Sequence, residues 1–218
     1  MNQEWSELNK AMQKQLGNRK SFDEGISTLI VLRQILMEQM IELQDTLSGE
    51  QMCAIPYINA KGYHNKTIAY SLYHIFRIED IVAHTIIAGD EEIFFSKDYK
   101  QRLNTSIITT GNELVKQEIA EFSRELNLKE LSAYARDVDD STRNLLLAFT
   151  YDDMKRTFTD EEKAAVRAKR VVSDSEAASW LVDYWCDKDV RGLIKMPFSR
   201  HWIMHLEACL RIKSKVQK

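Results

Sequence analysis

The sequence predicts an all-α protein. Its 218 residues include only 7 Gly and 2 Pro, which leaves few of the turn residues that many short strands and hairpins require. Leu, Ile, Glu, Lys, Gln and Ala recur at helical spacing instead. With 44% hydrophobic residues, the chain is long enough for a substantial core and short enough for one domain. We therefore expect residues 1–218 to form a single helical domain.

The first long helix is predicted to begin after Ser21 and to run to about Leu47. Ser21 is a favourable N-cap, and Glu24 stands three residues later, as in a capping box. Apolar residues then follow in steps of three and four, which indicates one face in a core: Leu29, Leu32, Leu36, Met40, Leu43 and Leu47. Residues 3–17 are predicted to form a shorter helix outside it.

A second helix is predicted from Asn65 to Ala88 and ends at Gly89. Its apolar row is Ile68, Leu72, Ile75, Ile78, Val82 and Ile86. His74 lies in the middle of this helix.

The middle of the chain is less regular. Residues 90–110 are expected to be loop-rich. Helices are predicted at 112–126 and 128–157 with a break at Asn127, at 159–170 after Thr159, and from Ser173 or Ser175 to about Ile194.

The last helix is predicted at 198–216, separated by Pro197 from the helix before it. One row contains Phe198, His201, His205, Cys209 and Ile212, in steps of three, four, four and three. Both histidines of this row should therefore face inward with the apolar residues.

Charge and cysteine content exclude several function classes. The net charge of −3 and the pI near 6.0 do not suit a protein that neutralises nucleic-acid phosphates. The local basic cluster is interpreted as a solvated helix face: Lys163, Arg167, Lys169 and Arg170. No apolar run approaches the ~20 residues that cross a bilayer. No signal peptide is visible, and three scattered cysteines suit a reducing compartment, so we expect a cytoplasmic protein without nucleic-acid or membrane partners.

His201 and His205 have the spacing of metal ligands. On a helix they are separated by about 6 Å of rise and 40° of rotation, so both rings can converge on one ion. A catalytic metal usually takes three protein ligands. His64 and His84 are each ten residues from His74, about 15 Å along the axis, so neither can share an ion with it on a continuous helix. His74 is therefore the candidate third ligand.

Spacing alone leaves another interpretation open, in which both histidines are core side chains satisfied by hydrogen bonds. No metalloprotease-type Glu follows His201, and no Glu-x-x-His motif indicates a di-iron site. Cys209 is about 12 Å of rise from His201, too far to share its ion, and is expected to be a core residue.

Several neighbouring side chains also receive an expected role. Tyr70, one turn before His74, is expected to pack in the core, as are Trp185 and Trp202 unless they line a cavity. Arg77 and Glu79 are expected to form structural ion pairs. Asp183 and Asp187 are candidates to orient a ligand from the preceding helix.

Two motifs resemble a known family. Residues 67–80, TIAYSLYHIFRIED, look like the second-helix signature of the DinB-like superfamily, including its YfiT-type members, and residues 196–205, MPFSRHWIMH, resemble its last-helix motif. The resemblance implies an up-down-down-up four-helix bundle with extra short helices. It also implies a homodimer and one divalent metal ion held by His74, His201 and His205. Zinc or nickel is expected first, and iron or manganese is possible.

Three histidines on one ion leave a coordination position open, which is typical of a catalytic site. Similarity to DinB-like thiol transferases suggests that a low-molecular-weight thiol attacks a small electrophile there. Metal-assisted hydrolysis of an amide or ester is the second enzymatic hypothesis. The alternative is a non-catalytic, metal-stabilised stress-response or interaction module, which predicts a sealed site.

Overall fold

The computed structural model describes residues 2–218 and contains helices and loops but no strand in that range. The prediction of an all-α protein is confirmed. The α-helices are α1 Gln3–Gln15, α2 Phe22–Thr46, α3 Gly49–Met52, α4 Ile68–Asp80, α5 Ile93–Ser96, α6 Tyr99–Arg102, α7 Gln117–Glu125, α8 Leu128–Ala148, α9 Asp160–Ala168, α10 Leu181–Cys186, α11 Val190–Lys195 and α12 His201–Val216. Short 3₁₀ turns occupy Arg19–Ser21, Gly62–His64 and Asp153–Lys155, and π-helical segments occupy Ile81–Ala88 and Met196–Arg200.

The four long helices α2, α4, α8 and α12 pack around a shared interior. α4 contacts α8 and α12, and α2 contacts the same two helices, while α1 lies along α2. The apolar interior between them includes Leu36, Phe76 and Leu206. A second apolar cluster joins the start of α2 to α10, with Ile26, Ile81 and Trp185 among its members. In the described range, no helix combines the length and the apolar character needed to cross a bilayer.

The first long helix has nearly the predicted bounds, but its predicted capping box is wrong. Ser21 lies at the end of a 3₁₀ turn, and its side chain makes no capping hydrogen bond to α2. The Ser21 hydroxyl instead donates to the carbonyl of Gln15, 3.0 Å away, at the end of α1. Ser21 therefore stabilises the tight connection from α1 into α2.

α4 begins at Ile68 rather than at Asn65. Thr67 is its N-cap and accepts a hydrogen bond from the backbone N–H of Tyr70 at 2.9 Å. The helix continues through the π-helical segment and ends at Gly89, whose positive φ of 72° suits glycine. The predicted end of this helix is confirmed.

Later helix boundaries differ more from the predictions. The helix predicted at 112–126 begins only at Gln117, the one predicted at 128–157 ends at Ala148, and the one predicted to reach Ile194 is divided into α10 and α11. Pro197 does not lie in the predicted non-helical break between two helices. It sits in the first turn of the π-helical segment, where its missing N–H removes no hydrogen bond from the preceding chain, and this segment leads directly into α12.

Candidate metal centre

His74, His201 and His205 come together as predicted. All three are buried, and one ring nitrogen from each lies within 4.8 Å of those of the other two. His74 projects from α4, whose thirteen residues are all buried, and the other two project from the first and second turns of α12, which packs on α4. Among residues 2–218, this is the one group of three or more His, Cys, Asp or Glu side chains close enough to hold an ion.

The other two histidines have separate partners. His64 accepts a hydrogen bond from Arg211 at 3.0 Å, and His84 contacts the Asp90 carboxylate at 2.7 Å. Both lie outside the group around His74, as predicted. The helix geometry behind that prediction applies to His84 only, because His64 lies in a 3₁₀ turn before α4 begins.

A backbone carbonyl fixes the proton of His74. Its Nδ1 lies 2.7 Å from the carbonyl oxygen of Thr110. Because a carbonyl only accepts hydrogen bonds, Nδ1 carries the hydrogen and Nε2 carries the lone pair. A metal-binding histidine commonly donates its other N–H to such an oxygen, which orients the ring.

The loop that supplies this carbonyl is held against α4 by three further side chains. The Tyr73 hydroxyl donates to Ile107 at 2.7 Å, Arg77 donates to Ile108 at 2.6 Å, and the Tyr70 hydroxyl donates to Gly111 at 2.9 Å. Gly111 has a φ of 76°, and a Cβ there would lie 3.1 Å from the Tyr70 ring, so the position requires glycine. Residues 107–111 thus form a fixed support for His74.

His201 and His205 lack the hydrogen bonds that a purely structural role would require. Nδ1 of His201 and both ring nitrogens of His205 are buried without a partner among residues 2–218. An unsatisfied buried polar group costs about 1–3 kcal/mol. No group among residues 2–218 therefore supplies the hydrogen bonds that the alternative interpretation requires for His205. An ion in this group would take one nitrogen from each ring.

Burial keeps the three rings neutral. It lowers the pKa of His74 to about 4 and the pKa values of His201 and His205 well below their usual range. Neutral imidazole is the form that binds metal, so protons compete weakly for this site at pH 7. The donor set therefore fits a divalent ion.

A pocket of about 320 Å³ opens beside the histidines. Its walls include Tyr63, Trp180, Tyr184 and Trp185, with Asn112 on the side of the loop that supports His74. A small molecule can reach the histidine group through this pocket. The site therefore offers three protein ligands to an ion and leaves one side accessible.

Two buried charge networks flank the site. Arg33 of α2 pairs with Glu79 at 2.6 Å and donates to the carbonyl of Phe198 at 3.1 Å, and Trp202 donates to Glu79 at 2.7 Å. In the second network, Arg77 pairs with Glu92 at 2.8 Å. The predicted ion pairs of Arg77 and Glu79 are confirmed.

Sequence reasoning missed Arg33. The sequence feature that could have identified it is a charged residue directly after Leu32, on the apolar side of α2. Its guanidinium connects α2 to the segment that leads into His201, and it also stacks over Trp202 at 4.2 Å.

The other residues singled out near the histidines are either core residues or members of surface ion pairs. Tyr70, Trp202 and Cys209 are core residues as predicted, and Trp185 is buried while also lining the pocket. Burial raises the pKa of the Cys209 thiol to about 12, which leaves it unreactive at neutral pH. The proposed orienting role of Asp183 and Asp187 is wrong, because both pair with Lys163 of the basic cluster instead.

Replacing Tyr70 with phenylalanine tests the support of His74. The change leaves the buried carbonyl of Gly111 without its donor, so we expect a loss of about 1–3 kcal/mol in the free energy of unfolding. Because the loop orients His74, zinc affinity should fall by about tenfold. Urea denaturation and a zinc competition titration measure the two effects. Tyr57→Phe is the control, and equal values for both variants would show that the loop does not support the site.

No protein-family model matches the chain, and no curated protein sequence matches it. The resemblance to the DinB-like superfamily therefore stays a prediction from the two motifs that carry His74, His201 and His205.

Proposed function

We propose that this protein is a divalent-metal-dependent enzyme of the DinB-like type that transfers a low-molecular-weight thiol to a small electrophile. The observation that carries the proposal is a buried group of three neutral histidines with a pocket beside it. A non-catalytic module would have no need of this pocket.

His74, His201 and His205 are the residues that would hold the ion. Nitrogen donors suit zinc and nickel first, and iron and manganese as alternatives. A bound divalent ion lowers the pKa of a thiol or a water molecule and so supplies a nucleophile near neutral pH.

The helix contacts support the DinB-like part of the proposal. α2, α8, α4 and α12 contact one another in a closed ring, which is the arrangement expected for a four-helix bundle. The site histidines lie on the second and last of these helices in chain order.

The protein's own residues bind and shield the reactants. The aromatic walls of the pocket exclude water from one side of the histidine group, and the Thr110 carbonyl keeps the His74 lone pair directed away from the loop. In the transfer, a carbon–sulfur bond forms. The electrophile either releases a leaving group or, in an addition, takes up the thiol proton.

The test measures thiol consumption by the metal-free protein and by protein loaded with zinc, nickel, iron(II) or manganese. The electrophiles are 1-chloro-2,4-dinitrobenzene, styrene oxide and an aryl enone. We expect consumption that depends on the metal and is lost on chelation and in His205→Leu.

Two other results would replace the proposal. Chelator-sensitive release of nitrophenol from a nitrophenyl ester, without any thiol requirement, would establish the hydrolase hypothesis. A loaded protein that is inert toward both substrate sets would favour the non-catalytic module.

A further inference from the structure

The mouth of the pocket carries an exposed tryptophan. Trp180 is 50% exposed and stands at the start of α10, one turn before Tyr184. The two ring centroids are 5.5 Å apart at an interplanar angle of 74°. A large aromatic side chain left open beside a pocket provides a rigid contact surface for a flat apolar ligand.

Among residues 2–218, no charged side chain lines the pocket. Apart from the three histidines, the walls consist of aromatic and aliphatic residues and one amide, Asn112. In the metal-free protein, a charged ligand would lose its hydration there without meeting an opposite charge on any lining residue, which is costly. The walls therefore favour an uncharged ligand.

Asn112 provides a hydrogen-bond donor. The Thr110 hydroxyl donates to its side-chain oxygen at 2.8 Å, so the amide nitrogen is the group left for a ligand. That nitrogen has no acceptor within residues 2–218, and the residue lines the pocket beside the support of His74. An amide N–H₂ in this position suits an oxygen acceptor on the ligand.

We propose that the pocket binds an uncharged aromatic molecule that carries a carbonyl oxygen, with its ring against Trp180 and Tyr184 and its oxygen on Asn112. This molecule is the electrophile of the thiol transfer. The role of this molecule as a reactant rests on the proposed function, whereas its binding to the pocket does not.

An aryl enone satisfies these requirements. The thiol sulfur forms a bond to the β-carbon, the π electrons of the carbon–carbon double bond move toward the carbonyl oxygen, and the α-carbon finally takes the thiol proton. The Asn112 amide stabilises the negative charge that develops on the oxygen. The addition releases no leaving group and requires no oxidant.

Binding is tested with two probes of the same carbon framework. Benzylideneacetone is uncharged, whereas cinnamate carries a carboxylate. Calorimetry uses the full-length metal-free protein, because cinnamate could bind a metal directly. We expect benzylideneacetone to bind about tenfold more tightly than cinnamate. Trp180→Ala and Asn112→Ala should each weaken its binding about fivefold.

Leu147→Ala is the matched control, since Leu147 is 59% exposed on α8 and lies outside the pocket. Equal affinity for both probes, or equal affinity in the wild type and the two pocket variants, would overturn the inference. If benzylideneacetone binds as expected but the loaded protein adds no thiol to it, the inference stands and thiol transfer fails. If thiol is consumed only with other electrophiles and benzylideneacetone does not bind, the inference fails and thiol transfer stands.

Discussion

Replacing His205 with leucine is expected to abolish metal binding without destabilising the metal-free protein. Neither ring nitrogen of His205 has a hydrogen-bond partner among residues 2–218, although both are buried. Leucine keeps most of the volume and removes two unsatisfied polar atoms. The metal-free variant should therefore be as stable as the wild type or more stable, by about 1 kcal/mol. An ordinary core histidine would show the opposite trend.

Elemental analysis of protein produced without a metal-binding tag gives the first readout. The wild type should hold close to one ion per chain after incubation with zinc or nickel, and the affinity of His205→Leu should fall at least about 100-fold. Zinc should also raise the melting temperature of the wild type but not that of His205→Leu. At a free concentration 100 times its dissociation constant, an ion that binds only the folded protein adds about 2.7 kcal/mol.

His64→Leu is the control, because His64 pairs with Arg211 outside the histidine group. It should keep the metal and the zinc-dependent rise in melting temperature. If His205→Leu retains a full complement of metal, or if the wild type takes up none of the four metals, the metal centre is wrong and the proposed function loses its basis.

The histidine group was predictable because its geometry depends on local helix periodicity. A spacing of four residues on α12 places His201 and His205 on one face, and the apolar rows of α4 and α12 turn these faces toward each other. The same reasoning separated His84 from His74. Two buried helices with regular apolar rows are the part of a fold that a sequence specifies most directly.

The surroundings of the group depend on contacts that leave no local pattern. The partner of His74 is the backbone carbonyl of Thr110, and any residue type carries a carbonyl. Arg33 reaches the surroundings of the site from α2, although it precedes His74 by 41 residues in the sequence. The π-helical segment before His201 includes Pro197, which in sequence terms marks a helix boundary. Tertiary packing determines each of these features.

The accessible side of the site was predicted only in general terms. Three ligands imply an open position. The aromatic walls, however, come from Tyr63 and from residues 180–185, for which the sequence indicated one continuous helix. The helix predicted from Ser173 or Ser175 begins only at Leu181, and Trp180 stands at its start, at the pocket mouth. That placement, rather than the histidines, is what suggests a class of ligand.

Glu79→Ala is expected to cause the largest loss of stability in the protein. Glu79 is fully buried and pairs with Arg33, which is also buried. Removing the carboxylate leaves Arg33 with only Asp139 as an ionic partner, and Trp202 loses its acceptor. Breaking one side of a buried ion pair typically costs about 3–5 kcal/mol. Zinc affinity should fall as well, because Phe198 and Trp202 bracket His201 in the chain.

Urea denaturation of the metal-free protein separates the charge effect from simple loss of packing. Because apolar residues of similar volume can replace a buried ion pair at little cost, the double variant Arg33→Met, Glu79→Leu should recover most of the lost free energy of unfolding. Glu42→Ala removes an exposed ion pair that joins α2 to α12, two of the helices that the Arg33 network connects, and should change little. If the double variant is as unstable as Glu79→Ala, the network acts through shape and hydrogen bonds to Trp202 rather than through charge neutralisation.

If zinc affinity stays unchanged in a Glu79→Ala protein that still folds, the network does not position His201.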